Sequence, residues 1–281
     1  MRVDAHHHVW KLDRGDYGWL QPTRELSKIY RDFTLAELRS VLGEADIDTT
    51  VLVQAAPTVA ETRYLLEVAK ASRGLVRGVV GWVDLRSPRL RATLESLSGE
   101  RKFVGVRHIV QSEADEFLLR PDFLYGISQL EEFNLAYDIL IYAKHLPIAT
   151  EFVSRFPRQS FVLDHLAKPQ IKSGAIDLWA RGIRELASFS NVYAKLSGLV
   201  TEAHWHGWKP ADIQPYLDVA FDCFGSRRLM IGSDWPVCNV AASYQRTMGM
   251  IEDYLKKFPI EEREAVLGGN AARFWRLPRG A

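Results

Sequence analysis

Three consecutive histidines, His6, His7 and His8, are the first residues of the chain with the means to do chemistry. They follow Val3-Asp4-Ala5 and run into Val9-Trp10, which reads as a strand over residues 2–7 rather than a purification-tag remnant. Alternate side chains of a strand share a face, so His6 and His8 point together and His7 points away. Two residues of strand rise separate them by roughly 7 Å along the backbone, close enough to converge on one ion or one water. Val162-Leu163-Asp164-His165 and Met230-Ile231-Gly232-Ser233-Asp234 are apolar runs ending in ionisable residues, as buried strands do where they emerge at a rim. His6, His8, His165 and Asp234 are the expected constellation. Asp234 stands just before Trp235-Pro236, and the proline is expected to hold it extended. Beside histidines it should stay ionised and take a proton from water.

Short apolar runs alternate with amphipathic stretches along the rest of the chain. Strands are expected at 50–54, 76–84, 103–108, 137–141, 160–165, 192–196 and 229–234, with helices between them. Thr34-Leu35-Ala36-Glu37 and Thr58-Val59-Ala60-Glu61 both read as capping boxes opening helices. Eight strands alternating with helices over about 250 residues is the pattern of a single (β/α)8 TIM barrel of the α/β class. A doubly wound sheet is the alternative, but no Gly-x-Gly-x-x-Gly turn follows the first strand. With no linker or low-complexity tract, residues 1–281 read as one domain.

In such a barrel the carboxyl ends of the strands hold the active site. Those ends supply Trp82 and Asp84, Arg107 and His108, Tyr142, Lys195, and Trp235 beside Asp234. Arg107 and Lys195 bring positive charge for an anionic group or a developing oxyanion, or else pair with carboxylates. Asp84 is expected to cap the following helix or hold a loop, Asp4 to orient imidazole or backbone, and Asp164 to fix His165 or a loop. His145 reads equally as a helix-start or a site residue. The connection over residues 10–33, with Trp10, Tyr17, Trp19 and Tyr30, is expected to be an ordered lid. His204-Trp205-His206 reads as a second lid segment, Glu202 as a group reaching substrate or solvent, and Asn270 as a helix N-cap.

Composition narrows the partners. The 281 residues are 47% hydrophobic and 25% charged with a net charge of +1, which gives no electrostatic case for nucleic acid or an anionic membrane. No apolar run reaches the roughly 18 residues needed to span a bilayer. Two cysteines form neither a metal-like spacing nor a disulfide framework, and a reduced, cytoplasmic setting is expected. The partner expected is a small molecule.

Five motifs taken together resemble the amidohydrolase superfamily: Asp4-Ala5-His6-His7-His8-Val9-Trp10, Asp164-His165-Leu166-Ala167-Lys168-Pro169, Lys195-Leu196-Ser197-Gly198-Leu199, Gly232-Ser233-Asp234-Trp235-Pro236 and Gly268-Gly269-Asn270-Ala271. They are most similar to its amidohydrolase 2 branch, which includes sugar-lactone hydrolases of the L-fuconolactonase type. The resemblance implies a barrel with His6, His8, His165 and Asp234 at the site, and a hydrolase acting on a cyclic ester in sugar acid metabolism. Asp234 would activate water while Arg107, His108 or His165 stabilises the oxyanion. His108, Trp82, Lys195, Glu202, Trp235 and Trp10 would contact the sugar, whose apolar face suits the tryptophans. His6, His8 and Asp234, with His165, would hold one divalent cation such as Zn²⁺, and that ion is expected to be dispensable. Many superfamily members carry a bridging carbamylated lysine at the end of the fourth strand. This chain has Arg107-His108 there, with Lys102 at the wrong end, which argues against a two-metal centre. The alternatives are a metal-dependent decarboxylase of an unsaturated or aromatic acid and a non-catalytic barrel that binds a sugar acid.

Overall fold

The computed structural model describes residues 1–278, so the last three positions of the expected 1–281 domain lie outside the described residues. Eight strands run in chain order around one sheet: β1 (Val3–His7), β2 (Thr49–Val53), β3 (Val76–Gly81), β4 (Phe103–Ile109), β5 (Ala136–Leu140), β6 (Phe161–Leu163), β7 (Val192–Leu196) and β8 (Leu229–Ile231). Each pairs in parallel with the next. Helices α1 (Leu35–Leu42), α2 (Val59–Ala71), α3 (Leu90–Leu97), α4 (Pro121–Leu130), α5 (Leu146–Ser154) and α6 (Asp177–Ala187) follow β1 to β6 in turn. A short α7 (Leu199–Glu202) and α8 (Pro210–Phe224) follow β7, and α9 (Tyr244–Leu255), α10 (Ile260–Glu264) and α11 (Asn270–Phe274) follow β8. Consecutive strand order rules out the doubly wound alternative, whose order reverses at a switch point. The fold is a (β/α)8 barrel.

The ring closes between β8 and β1 through the residues that matter chemically. Asp234 N donates to His6 O at 2.8 Å and His8 N to Trp235 O at 2.6 Å. The Asp4 carboxylate accepts from His6 N, Ser233 N and Ser233 Oγ, so it orients backbone. Gly232 allows this approach, since a Cβ there would stand 2.8 Å from His6 Cβ.

Strand alternation sorts the side chains into two apolar sets. Val51, Val53, Val80, Val162 and Met230 face inward, and Trp275 and Leu277 close the floor beneath them. Leu52, Val79, Val106, Tyr137 and Leu163 face outward under the helices, each such burial contributing about 1.5–3 kcal/mol. Among the described residues no helix is long and apolar enough to cross a membrane.

The two capping boxes part company. At α1 the box is complete, with Thr34 Oγ1 accepting from Glu37 N and Glu37 Oε2 from Thr34 N. At α2 only half forms: Thr58 Oγ1 accepts from Glu61 N at 3.0 Å, while Thr58 N donates to Ala56 O. Asn270 is not an N-cap. A π-helical turn over Ala265–Gly269 runs straight into α11, and Asn270 Nδ2 donates to Ser226 O and Leu229 O.

Candidate active site

The site forms where alternation is broken. The β1–β2 register shifts between Asp4 and His7, and after that shift His6 and His8 face the interior, Nε2 to Nε2 at 3.2 Å. His7 faces out and meets Thr50 Oγ1 at 2.8 Å. Strands six and eight end at Leu163 and Ile231, earlier than their apolar runs suggest. His165 (φ 53°) and Asp234 (φ 56°) then take left-handed backbone, so Asp164 and His165, though successive, both turn inward. The expectation that proline holds Asp234 extended is therefore corrected: proline restricts the residue immediately before it, which is Trp235. Gly198 (φ 63°) makes room for His165, because a Cβ there would lie 2.5 Å from His165 Nδ1.

The rings and carboxylate converge. His6 and His165 have centroids 4.5 Å apart, His165 Nδ1 meets Ser197 Oγ at 2.8 Å, and Asp234 Oδ1 lies 3.3 Å from His8 Nε2 and 3.7 Å from His6 Nε2. Burial holds His6 well below the usual histidine range and His165 down to about 4, so both rings are neutral at pH 7. Burial pushes the Asp234 carboxyl up, but His165, His8 and Lys168 outweigh it and hold it below the usual carboxylate range. Asp234 is ionised.

Beneath the rings lies a buried charge layer. Arg107 Nη1 donates to Asp164 Oδ2 at 2.9 Å and stands 3.4 Å from His6 Nε2, while Nη2 donates to Gln54 O. Lys195 Nζ sits 2.5 Å from Asp138 Oδ2, 2.9 Å from Asp164 Oδ1 and 3.2 Å from His6 Nδ1. It also stands over the Trp275 ring of the barrel floor. Lys195 exposes no surface, so its expected role as a substrate contact is corrected to a support beneath His6. Lys102 holds Ala69 O and Val76 O, near the start of β3 and far from any bridging position.

His6 Nε2, His8 Nε2 and Asp234 Oδ1 fit a metal ion. They lie within 4.8 Å of one another, and their mutual distances of 3.2, 3.3 and 3.7 Å compare with an edge of about 3.3 Å for tetrahedral zinc with ligands near 2.0 Å. His8 Nδ1–H donates to Val53 O at 2.8 Å, since a carbonyl can only accept, and this turns Nε2 toward His6 and Asp234. A second cluster, His6, Asp164 and His165, already has Arg107 and Lys195 on its carboxylate.

Other expected contacts divide between rim and core. Strand parity lets only one of Arg107 and His108 face inward. His108 stacks on Phe117 outside the barrel wall, with Trp82 Nε1 donating to its Nδ1 and its Nε2–H donating to Glu113. Both ring nitrogens are engaged, so His108 is corrected from oxyanion donor to rim support. Trp82 and Glu202 remain half-buried at the mouth. Trp10 and Trp235 do not reach it. Trp10 is covered by Tyr17, Trp19 and Phe33, and Trp235 packs against Phe33 and lines an outer groove with Arg31 and Asn239. His145 holds Tyr142 N and Asp115, and Asp84 receives Arg86 N; both are local supports. His204 and His206 are exposed, His204 lining a groove of about 350 Å³ with Lys172 and Tyr216. Sequence reasoning missed Lys168, whose Nζ lies 3.7 Å from Glu202 Oε1 and over the Tyr142 ring. Its motif was visible, but nothing in the spacing showed that left-handed backbone (φ 51°) would bring it beside His165.

The family model described as amidohydrolase matches residues 3–277. The chain belongs to the amidohydrolase family. Among amidohydrolase relatives, an L-fucono-1,5-lactonase of Burkholderia ambifaria is 40% identical over 283 residues, covering 99% of this chain and 96% of the relative. An L-fucono-1,5-lactonase of Burkholderia multivorans is 37% identical over 293 residues, covering 100% and 98%. A crystal structure of an amidohydrolase from Burkholderia multivorans with bound zinc is similar at a TM-score of 0.93 and 37% identity, covering 99% of this chain and all of that one.

Proposed function

We propose that this chain, acting as one barrel domain over residues 1–281, hydrolyses the ring ester of a sugar-derived lactone such as L-fuconolactone to the sugar acid. The observation that carries the reading is the ionised Asp234 carboxylate 3.3 Å from His8 Nε2, at the mouth of a barrel whose relatives at 37–40% identity are lactonases. Asp234 takes a proton from water as the water oxygen bonds to the lactone carbonyl carbon. The carbonyl electrons move onto oxygen, facing the His165 ring edge and the partly exposed Lys168 ammonium. When the oxyanion collapses the ring C–O bond breaks, and the proton on Asp234 passes to the leaving alkoxide. A positioned base contributes about 10²–10⁴-fold, and one oxyanion donor a factor of about 10²–10³.

A divalent cation on His6, His8 and Asp234 would supply Lewis acidity to the carbonyl and make water more acidic. It is dispensable in this reading. Lys195 Nζ donating to His6 Nδ1 leaves the proton on His6 Nε2, which donates to His8 Nε2 at 3.2 Å. A proton thus bridges the same pair of nitrogens, with Asp234 Oδ1 3.7 Å from the His6 nitrogen that carries it. The Arg107 guanidinium, 3.4 Å from His6 Nε2, supplies positive charge at the same place.

Acid release followed by a pH indicator across a panel of aldonolactones tests the reading. Sugar lactones are expected to exceed butyrolactone and valerolactone in kcat/KM, because Lys168, Glu202 and Trp82 offer polar and aromatic contacts to a hydroxylated ring. Carbon dioxide release from aromatic acids would establish the decarboxylase alternative. Thermal stabilisation by sugar acids without turnover of any lactone would establish a binding barrel.

A further inference from the structure

We infer that Glu61 is a positioning residue for the active site, seating the end of β2 from which His8, Arg107 and the 11–33 segment are all held. The inference rests on the lactone-hydrolase reading for its kinetic arm only. Three successive carbonyls leave the end of β2 toward three parts of the site. Val53 O accepts from His8 Nδ1 at 2.8 Å, Gln54 O accepts from Arg107 Nη2, and Ala55 O accepts from Trp19 Nε1 at 2.7 Å. Gln54 Nε2 adds a bond back to Arg107 O at 3.2 Å. The amides that follow, Ala55 N and Ala56 N, donate to the Glu61 carboxylate at 3.1 and 2.6 Å.

A helix cap alone does not explain this residue. Glu37, at the same position of α1, completes its box while its side chain is 38% exposed. Glu61 is wholly buried, a costly setting for an acid, and its carboxylate leaves the cap unfinished to reach the turn after β2. Burial raises it to about 7 against the two backbone bonds. The same turn also anchors the 11–33 segment a second time, through Thr58 Oγ1 donating to Asp16 Oδ2 at 3.0 Å. One side chain therefore fixes the backbone that sets the His8 tautomer and the Arg107 guanidinium.

The test compares Glu61→Gln and Glu61→Ala with Glu37→Ala, which removes the carboxylate at the same helix position of α1, where it closes its own cap. In ¹⁵N-histidine spectra the unaltered protein should show His8 as a single Nδ1–H tautomer. Both Glu61 variants should show His8 averaging between tautomers, and kcat should fall by roughly 10–100-fold, more than KM rises, as expected when reacting groups are misplaced by about 1 Å. Glu37→Ala should change neither. If the alanine variant does not fold, the near-isosteric glutamine variant decides. A folded Glu61 variant with an unchanged His8 signal and unchanged kcat would overturn the inference. If the unaltered protein turns over no lactone, the proposed function fails while the histidine spectra still decide the role of Glu61.

Discussion

Lys195 Nζ lies 2.9 Å from Asp164 Oδ1, and neither side chain exposes any surface. Asp138 shares the lysine, and burial pushes its carboxyl up despite it. Asp164 resists the same burial, held well below the usual range by Lys195, His6 and Arg107. Lys195 is thus the charge that both buried acids share, with Arg107 on the far oxygen of Asp164. Replacing it with methionine should strand one of them, and breaking a buried pair costs about 3–5 kcal/mol. Chemical denaturation of Lys195→Met should show a loss of that size. A stability change near zero with a raised KM would instead return Lys195 to the substrate.

Asp234→Asn preserves shape and removes proton acceptance. Lactone turnover is expected to fall by at least about 10²-fold, with circular dichroism and thermal midpoint little changed. A folded variant retaining most of the rate would place the base elsewhere, with His165 the next residue to test.

Exhaustive chelation, verified by elemental analysis, should leave most lactonase activity. The measurement is decisive in the other direction as well. Activity lost on chelation and restored by one equivalent of Zn²⁺ would mean that the His6–His8 proton cannot replace the ion.

His7 offers a pH test separate from the site, because it faces outward onto Thr50. Burial lowers it to about 3, so the unfolded chain binds its proton first. Its contribution to stability is complete above about pH 6.5 and is lost as pH falls from there toward 3, by at most about 1.4 kcal/mol per pH unit. Denaturation curves of His7→Asn and the unaltered protein should therefore converge as pH is lowered through this window. Parallel curves would show that His7 is not neutral in the fold.

Much of this architecture was legible because periodicity is a local property. The β1 histidines, the apolar runs of β6 and β8 and the box at α1 each announce themselves within a few residues. Alternation alone placed His6 with His8. What sequence could not show were the points where alternation breaks: the register shift in β1 and the left-handed residues His165, Lys168 and Asp234. His165 thereby turns to a face that the parity of Val162 and Asp164 would not predict, and Lys168 lies beyond the end of its strand. The pairing of Lys195 with Asp138 and Asp164, and the choice of Arg107 over His108 as the inward residue, depend on neighbours many strands away. Trp10 and Trp235 pack away from the mouth for a related reason, since an aromatic near a strand end packs as readily under a loop as over a ligand.

The seam between β8 and β1 has a bearing on where function resides in this molecule. The bonds that shut the cylinder, Asp234 N to His6 O and Asp4 to Ser233, also set Asp234 opposite the histidines. The same few bonds therefore hold the barrel shut and hold Asp234 in register with His6 and His8. The proposed chemistry is thus a property of circumference: His6 and His8 come from the first stave and Asp234 from just beyond the last, so no arc that omits either end brings them together.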